Sequence, residues 1–149
     1  MKQNFKFKIM FDGTRYFGWE HQPNTDLTIQ GKIETVLQRM VSSEIPEVIG
    51  CGRTDAGVHA KAMIANAFLE TDMSTDAIRD YMNRYLPDDI CVLEVKEAAE
   101  RFHSRYKAVG KTYCYTCYTG PLKPVFDRKY VYYIEETPDI GKMEEAAKA

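Results

Sequence analysis

The spacing of apolar residues changes in a fixed order along the first 97 positions, and this order restricts the folds open to the chain. From Phe5 to Phe11, apolar residues alternate with polar ones, which is typical of a half-buried strand. From Thr28 onward, apolar residues recur three and four positions apart through TIQGKIETVLQRMV, which is the spacing of an amphipathic helix. The chain is therefore predicted to begin with a strand followed by a helix.

Two strands, a second helix and a fourth strand are predicted next. EVIGC and MIANAFLE predict the two strands, and DICVLEVKE predicts the fourth. Ser74 is a suitable N-cap for a helix over TDAIRDYMNRYL, which Pro87 ends. The order strand, helix, strand, strand, helix, strand is the ferredoxin-like pattern, which the common RNA-recognition module also uses. We therefore predict an α+β fold with a ferredoxin-like domain over residues 1–97.

Residues 98–149 are predicted to begin a second domain. GKTYCYTCYT and RKYVYYIEE predict two strands joined by GPLKP, and DIGKMEEAAKA predicts the start of a helix. These aromatic-rich strands have no further partners in the chain, and an incomplete sheet exposes unpaired edges. We expect the truncated beginning of a mixed-sheet domain whose remainder lies beyond Ala149.

The charge distribution of the chain is uneven. The net charge is −2, yet residues 101–130 contain seven lysines and arginines against one aspartate, with tyrosines and phenylalanines among them. This composition can neutralise phosphates and stack bases, as in nucleic-acid binding. A solvated pair of strands would have the same composition, so both interpretations remain open at this point.

The sequence gives no sign of a membrane or secreted protein. No apolar run approaches the roughly 20 residues that a membrane span needs, and the N-terminus lacks the apolar block of a secretory signal. We expect a cytoplasmic protein with reduced thiols. Cys114 and Cys117 lie three apart on a predicted strand and would point to opposite faces, so we expect them not to share a metal.

The stretch GRTDAGVHA, residues 52–60, is the main candidate for a functional loop. A dinucleotide-binding loop would need glycine where Asp55 stands, and Asp55 with His59 lacks the further ligands of a metal site. A two-carboxylate hydrolase would need a second acid nearby. What remains is one carboxylate beside Arg53. It is already an anion at neutral pH and, as a nucleophile, needs no base. Alternatively, Arg53 and Asp55 only fix a turn, with the aspartate capping backbone amides.

Several blocks of the sequence together resemble one family, the tRNA pseudouridine synthase A family, over nearly the whole chain. These blocks are FDGTRYFGWEHQP, TIQGKIE, GRTDAGVHA, LPDDICV, FHSRYKA and GKTYCYT. The resemblance implies the pseudouridine synthase fold and an enzyme that isomerises uridine to pseudouridine at positions 38, 39 and 40 of the tRNA anticodon stem-loop. It also implies a homodimer of the full-length protein that uses no cofactor and no metal.

The resemblance also implies roles for individual residues. Asp55 matches the family's catalytic aspartate, and Arg53 matches the arginine placed close to the target nucleotide and the aspartate. Tyr113 matches the tyrosine that packs against the target base. Three further residues in family blocks are expected to bind RNA: His59, Arg105 and Lys111.

The sequence departs from the family pattern at two positions and in length. Glu20 stands where glutamine is common, and Ser104 interrupts the usual FHAR. The family's chain continues through a second half that completes the cleft, so we expect the 149-residue chain itself to have little or no activity. The alternatives to catalysis are an RNA-binding module of ferredoxin-like fold and a protein-interaction domain of the same shape.

Overall fold

The computed structural model of the chain describes residues 1–42 and 44–149. It divides into two compact units, Met1–Val109 and Gly110–Ala149. In the described part of the chain, no helix is both long and apolar enough to cross a bilayer.

The first unit is α+β, and its described residues form four strands and two α-helices in the predicted order. Their bounds are β1 Gln3–Phe11, α1 Ile29–Met40, β2 Ile49–Gly50, β3 Ala60–Leu69, α2 Thr75–Tyr85 and β4 Ile90–Glu97. A short 3₁₀ turn, Gly13–Arg15, follows β1. The four strands make one sheet in the order β2-β3-β1-β4, and every neighbouring pair is antiparallel.

The core of the first unit lies between one face of the sheet and the two helices. Phe5, Phe7, Ile9 and Phe11 of β1 are buried on that face, as the alternation predicts. They join buried residues of α1 and α2, such as Ile33 and Met82, in one hydrophobic cluster. Burying a large aliphatic or aromatic side chain stabilises a fold by about 1.5–3 kcal/mol. Trp19, only 2% exposed, also belongs to this cluster and packs against Phe11.

Both helices of the first unit begin at a capping side chain. Thr28 accepts a hydrogen bond from the Gly31 amide at the start of α1, and Ser74 accepts one from the Ala77 amide at the start of α2. Each cap satisfies an amide that has no partner within the helix. The predicted N-cap at Ser74 is therefore confirmed, and α2 ends at Tyr85, two residues before Pro87.

A buried polar network ties the segment after β4 back to the sheet. Asn66 of β3 donates to Asn4 Oδ1 (3.1 Å) and accepts from the Ser104 hydroxyl (2.7 Å) and amide (2.9 Å). Asn4 donates in turn to the carbonyls of Ala99 and Phe102. These bonds hold residues 98–104 against the first unit, which explains why the compact unit extends to Val109, past the domain boundary predicted at residue 97.

The second unit has less regular structure than the sequence predicts. Its strands are short, β5 Cys117–Thr119 and β6 Tyr132–Ile134, and they pair in parallel; α3 spans Ile140–Lys148. The prediction of a strand through the whole of GKTYCYTCYT is wrong, because only its end finds a hydrogen-bonding partner. None of residues 110–149, all of which are described, is buried. The cysteines of the chain are free thiols.

Candidate active site

The loop between β2 and β3 presents Asp55, and its backbone is held by the segment that follows β1. The Trp19 amide donates to the Thr54 carbonyl (3.1 Å), and the Gly57 amide donates to the Tyr16 carbonyl (3.2 Å). Within the loop, the Val58 amide donates to the Asp55 carbonyl, closing a turn in which Gly57 has a positive φ of 81°. A left-handed conformation of this kind favours glycine. The loop conformation is therefore fixed from outside and from within.

Two glycines allow these segments to meet at backbone contact distance. A Cβ at Gly13 would lie 2.0 Å from the Val58 carbonyl oxygen, and one at Gly18 would lie 2.4 Å from the Thr54 carbonyl oxygen. Gly18 also has a positive φ of 88°. Side chains at either position would push the two segments apart, so residues 12–19 and the Asp55 loop depend on these glycines for their direct backbone contact.

His59 fixes the end of the loop rather than lining a cleft. Its Nδ1 accepts a hydrogen bond from the Gly13 amide (2.9 Å) and also lies 3.1 Å from Asp12 Oδ1. An Nδ1 that accepts from an amide carries no proton, so we assign the ring proton to Nε2 and do not treat the Asp12 contact as an ion pair. Asp12 Oδ1 already accepts from the amide and hydroxyl of Thr14.

The Asp55 side chain is exposed in an open cleft of about 620 Å³. The described residues that line this cleft are Phe17, Glu20, Gln22, Arg53, Thr54, Asp55 and Ala56. Among the described residues, the Asp55 carboxylate has no hydrogen-bond or ion-pair partner. It does not cap the turn, because the turn is closed by its own main-chain carbonyl. The carboxylate is therefore free to contact a molecule that enters the cleft.

Arg53 lines the same cleft, and its guanidinium is held by Glu20. The Nη1 atom of Arg53 lies 3.2 Å from Glu20 Oε2, and both side chains are more than half exposed. The hydroxyl of Thr54, between Arg53 and Asp55, is buried and has no hydrogen-bond partner. The cleft thus combines a free carboxylate and a paired guanidinium on residues that flank a buried hydroxyl.

Sequence reasoning missed two walls of the cleft, Phe17 and Gln22. The Phe17 side chain is 51% exposed although Tyr16 and Trp19 beside it are buried. Gln22 Nε2 donates to the Phe17 carbonyl (2.5 Å). The sequence gives no signal that separates Phe17 from the buried aromatic residues beside it, because its exposure depends on the folded chain.

A partly buried hydrogen-bond network supports the segment that holds the loop. The Tyr16 hydroxyl donates to Asp89 Oδ1 (2.6 Å), and Arg15 Nε donates to Asp89 Oδ2 (2.7 Å). Burial alone would raise the pKa of Asp89, but hydrogen bonds from Arg15 and Tyr16 and the Arg15 charge lower it below its ordinary value. Burial, then the hydrogen bond to Asp89 and its charge, raises the pKa of Tyr16 to about 12.

The remaining predicted site residues lie outside this cleft. Arg105 belongs to the first unit, where its side chain is exposed and its amide donates to His103 Nδ1. Tyr113, 74% exposed, and Lys111 belong to the second unit. Of the predicted residues, the structure therefore brings Arg53 and Asp55 together in the cleft. His59 holds the end of the same loop through its contact with the Gly13 amide.

The described residues contain no group of three or more histidine, cysteine, aspartate or glutamate side chains placed to hold a metal ion. Asp55 and His59 share a loop, but the His59 ring is turned to the Gly13 amide. What the cleft can do chemically follows from its own exposed groups: an anion, a guanidinium and an aromatic face.

Comparison with known proteins gives this site a family context. A family model described as tRNA pseudouridine synthase matches residues 8–107, which include the whole Asp55 loop and the segment that holds it. The chain belongs to this family.

Relatives share nearly the whole of the chain. It is 48% identical over 145 residues to tRNA pseudouridine synthase A of Bacillus sp. (strain KSM-64), covering 97% of this chain and 59% of that protein. It is 43% identical to tRNA pseudouridine synthase A 2 of Bacillus anthracis, with the same coverage. It is 41% identical over 146 residues to tRNA pseudouridine synthase A 2 of Clostridium perfringens (strain 13 / Type A), covering 98% of this chain and 59% of that protein. The chain thus spans 59% of the length of these relatives.

Proposed function

We propose that this chain is part of an enzyme that isomerises uridine to pseudouridine in tRNA, with Asp55 as its catalytic carboxylate. The observation that carries the proposal is the exposed, unpartnered Asp55 side chain in the cleft, on a loop whose backbone is fixed by other residues. Membership of the tRNA pseudouridine synthase family supports the substrate class. We assign the reaction to the anticodon stem-loop, at positions 38, 39 and 40, on the resemblance stated above.

The cleft is suited to a nucleotide that has left its stack. A stacked uridine hides its glycosidic bond, so the enzyme extrudes the nucleotide and offsets the few kcal/mol of unstacking with contacts in the pocket. Phe17 offers an exposed aromatic face beside Asp55. Tyr113 is assigned to pack on the target base in the complete enzyme, and Arg53 to contact the target nucleotide.

The reaction needs one carboxylate and no redox chemistry, because product and substrate are isomers. Asp55 attacks either the uracil ring or the ribose anomeric carbon, or it removes a ribose proton. In each route the bond from ribose to uracil N1 breaks and the uracil turns within the pocket. Its C5 then bonds to the same ribose carbon, C5 loses its proton and N1 gains one. Exclusion of water protects the intermediate from hydrolysis.

The basic segment is assigned to the tRNA backbone. Seven lysines and arginines between residues 101 and 130, Arg105 and Lys111 among them, give affinity that falls with salt and carries little base identity. His59 is assigned to RNA binding as well, and its bond to the Gly13 amide supports a role in holding the Asp55 loop.

The finer architecture belongs to the same proposal. The order β2-β3-β1-β4 within a strand-helix-strand-strand-helix-strand sequence supports a ferredoxin-like domain. We propose that the complete enzyme is a cytoplasmic homodimer that works without cofactor. The 149-residue chain alone is proposed to have little or no activity, because residues 110–149 bury none of their side chains. Turnover of tRNA by this chain at the rate of the complete gene product would refute that last point.

Replacing Asp55 with asparagine in the complete gene product tests the catalytic proposal. Asp55→Asn keeps the shape of the side chain and removes the anion. We expect pseudouridine formation in unmodified tRNA to fall on the order of 10³-fold or more, with tRNA affinity retained. Asp72→Asn, at an exposed aspartate outside the cleft, is the matched control and is expected to be fully active. Full activity of Asp55→Asn would refute the proposal, and intact tRNA binding without activity in the unsubstituted protein would favour the RNA-binding module.

A further inference from the structure

The ion pair at the mouth of the Asp55 cleft is not required to hold the loops together. Glu20 and Arg53 join the segment after β1 to the Asp55 loop through one contact of 3.2 Å. The same two segments are already joined by the hydrogen bond from Trp19 to Thr54, both adjacent in sequence to the paired residues. The side chains of the pair are 58% and 57% exposed, and a pair in solvent stabilises a fold weakly. The contact therefore matters less for stability than for the charge of the cleft.

The ion pair affects the net charge of the residues that line the cleft. Of the seven described residues lining the cleft, three are charged: Glu20, Arg53 and Asp55. Two negative charges and one positive charge give this surface a net charge of −1 at neutral pH. Asp55 must be anionic for the proposed chemistry, so Glu20 is the acid that turns a neutral mouth into a negative one. An entering RNA brings a further negative charge on each phosphate.

The guanidinium of Arg53 contacts Glu20 through Nη1. Carboxylate and phosphate oxygens both match the planar fork of guanidinium donors, so a phosphate that binds the Nη1 edge of Arg53 competes with Glu20. The Glu20 partner is a solvated surface group, and exchanging it for a phosphate costs little. The pair is therefore arranged so that RNA can replace it.

We propose that Glu20 is a positioning residue that holds the Arg53 guanidinium beside Asp55 in the empty cleft, and that a backbone phosphate of the substrate RNA displaces it. This inference rests on the proposed function, since it takes tRNA as the substrate. Glu20 lowers the affinity of the cleft mouth for RNA in general, because every phosphate that binds Arg53 must first overcome the carboxylate. It does not contact the reacting atoms.

A double-mutant cycle on the complete gene product tests the proposal. The variants are Glu20→Gln, which keeps the shape and removes the charge, Arg53→Gln, and the two combined. The measurements are the dissociation constant for unmodified tRNA at several salt concentrations, and kcat and KM for pseudouridine formation. Asp76→Asn is the matched control: Asp76 lies 3.1 Å from Arg79 on α2, outside the cleft, and its replacement changes the net charge equally.

Glu20→Gln is expected to bind tRNA about two- to fivefold more tightly than the unsubstituted protein, with KM lowered and kcat within twofold. The slope of log affinity against log salt is expected to change by much less than one, because Arg53 contacts a phosphate in the complex of either protein. In the Arg53→Gln background the gain is expected to disappear, because the two side chains act as a unit. Asp76→Asn is expected to bind like the unsubstituted protein.

The results separate this inference from the proposed function. If Glu20→Gln binds no more tightly than Asp76→Asn, or if its gain persists without Arg53, the displacement of Glu20 by phosphate is refuted. The Asp55-dependent activity then stands unaffected. If the unsubstituted protein neither binds nor modifies tRNA, the proposed function itself is refuted, and the inference is refuted with it.

Discussion

Replacing Asp89 with asparagine tests whether the Tyr16–Asp89 hydrogen bond supports the segment that holds the Asp55 loop. Tyr16 is buried, and it links two parts of the site. Its hydroxyl donates to Asp89 at 2.6 Å, and its carbonyl accepts from the Gly57 amide of the Asp55 loop. Asp89→Asn leaves one neutral oxygen that still accepts the Tyr16 hydroxyl, but it removes the charge and the second oxygen, which accepts from Arg15 Nε.

The size of the effect follows from the difference between the two kinds of hydrogen bond. A bond to a charged group contributes about 1.5–3 kcal/mol, and a bond between neutral groups about 0.5–1.5 kcal/mol. Asp89→Asn is therefore expected to lower the free energy of unfolding by about 1–1.5 kcal/mol at neutral pH. With a typical dependence on urea, the midpoint of unfolding shifts down by roughly 0.5–1 M.

The effect must also depend on pH in one direction. Because the native state lowers the pKa of Asp89, the unfolded chain binds more protons at this group. The stabilisation is therefore fully present above the ordinary carboxyl pKa and is lost as pH falls through the lowered pKa of the native state. At pH values below the lowered pKa the native carboxyl is protonated, its bond to Tyr16 becomes neutral, and the advantage over asparagine disappears.

Urea unfolding followed by the fluorescence of Trp19 measures the free energy of unfolding of the first unit, since Trp19 is the single tryptophan and is buried there. The comparison uses the unsubstituted chain, Asp89→Asn, and Asp88→Asn as an exposed neighbouring control, at pH 7 and at the lowest pH where the chain stays folded. A loss of stability at pH 7 that persists undiminished at low pH would refute the reasoning. So would equal stability of Asp89→Asn and Asp88→Asn at pH 7.

Three further substitutions test the frame around the site. Gly13→Ala places a Cβ 2.0 Å from the Val58 carbonyl oxygen and is expected to cost about 1–3 kcal/mol in urea unfolding and to reduce pseudouridine formation strongly; normal activity would contradict the close approach. Asn66→Ala removes the hydrogen bonds that the buried side chains of Asn4 and Ser104 make to it and is expected to cost about 2 kcal/mol or more, whereas a neutral result would show that solvent replaces the network. Ile33→Ala is expected to cost about 2–5 kcal/mol from the lost core contact, and a cost below that of Ile33→Val would contradict the packing.

The periodicity of the sequence was sufficient to predict the order of the helices and strands of the first unit, because each is specified by its own local pattern. The alternation from Phe5 to Phe11 predicts which residues of β1 are buried, and Ser74 predicts where α2 begins; both predictions are confirmed. In the second unit the same alternation failed as a guide to length. A period of two shows that a segment can pair, but it does not supply the partner, and Tyr113 lies outside the short strand β5.

The site was predictable only in part, for a related reason. The glycine-bounded loop around Asp55 is visible in the sequence because its residues are consecutive. The contacts that give the loop its properties join distant positions: Glu20 to Arg53, Gly13 to His59 and Tyr16 to Asp89. No local pattern encodes such pairs, so the walls of the cleft and the second role of His59 emerge only when the chain is folded.

An aspartate in a turn cannot bind the backbone amides of the turn and offer its carboxylate to a substrate at the same time, and in this site different groups do the two. An aspartate in a turn ordinarily binds nearby amides, and a carboxylate engaged in this way is not available to a substrate. Here the Gly57 amide is taken by the Tyr16 carbonyl and the Val58 amide by the main-chain carbonyl of Asp55. Because residues outside the turn satisfy and fix its backbone, the Asp55 carboxylate is not needed to hold the turn. Substrate binding then spends no free energy on ordering the backbone that carries this group.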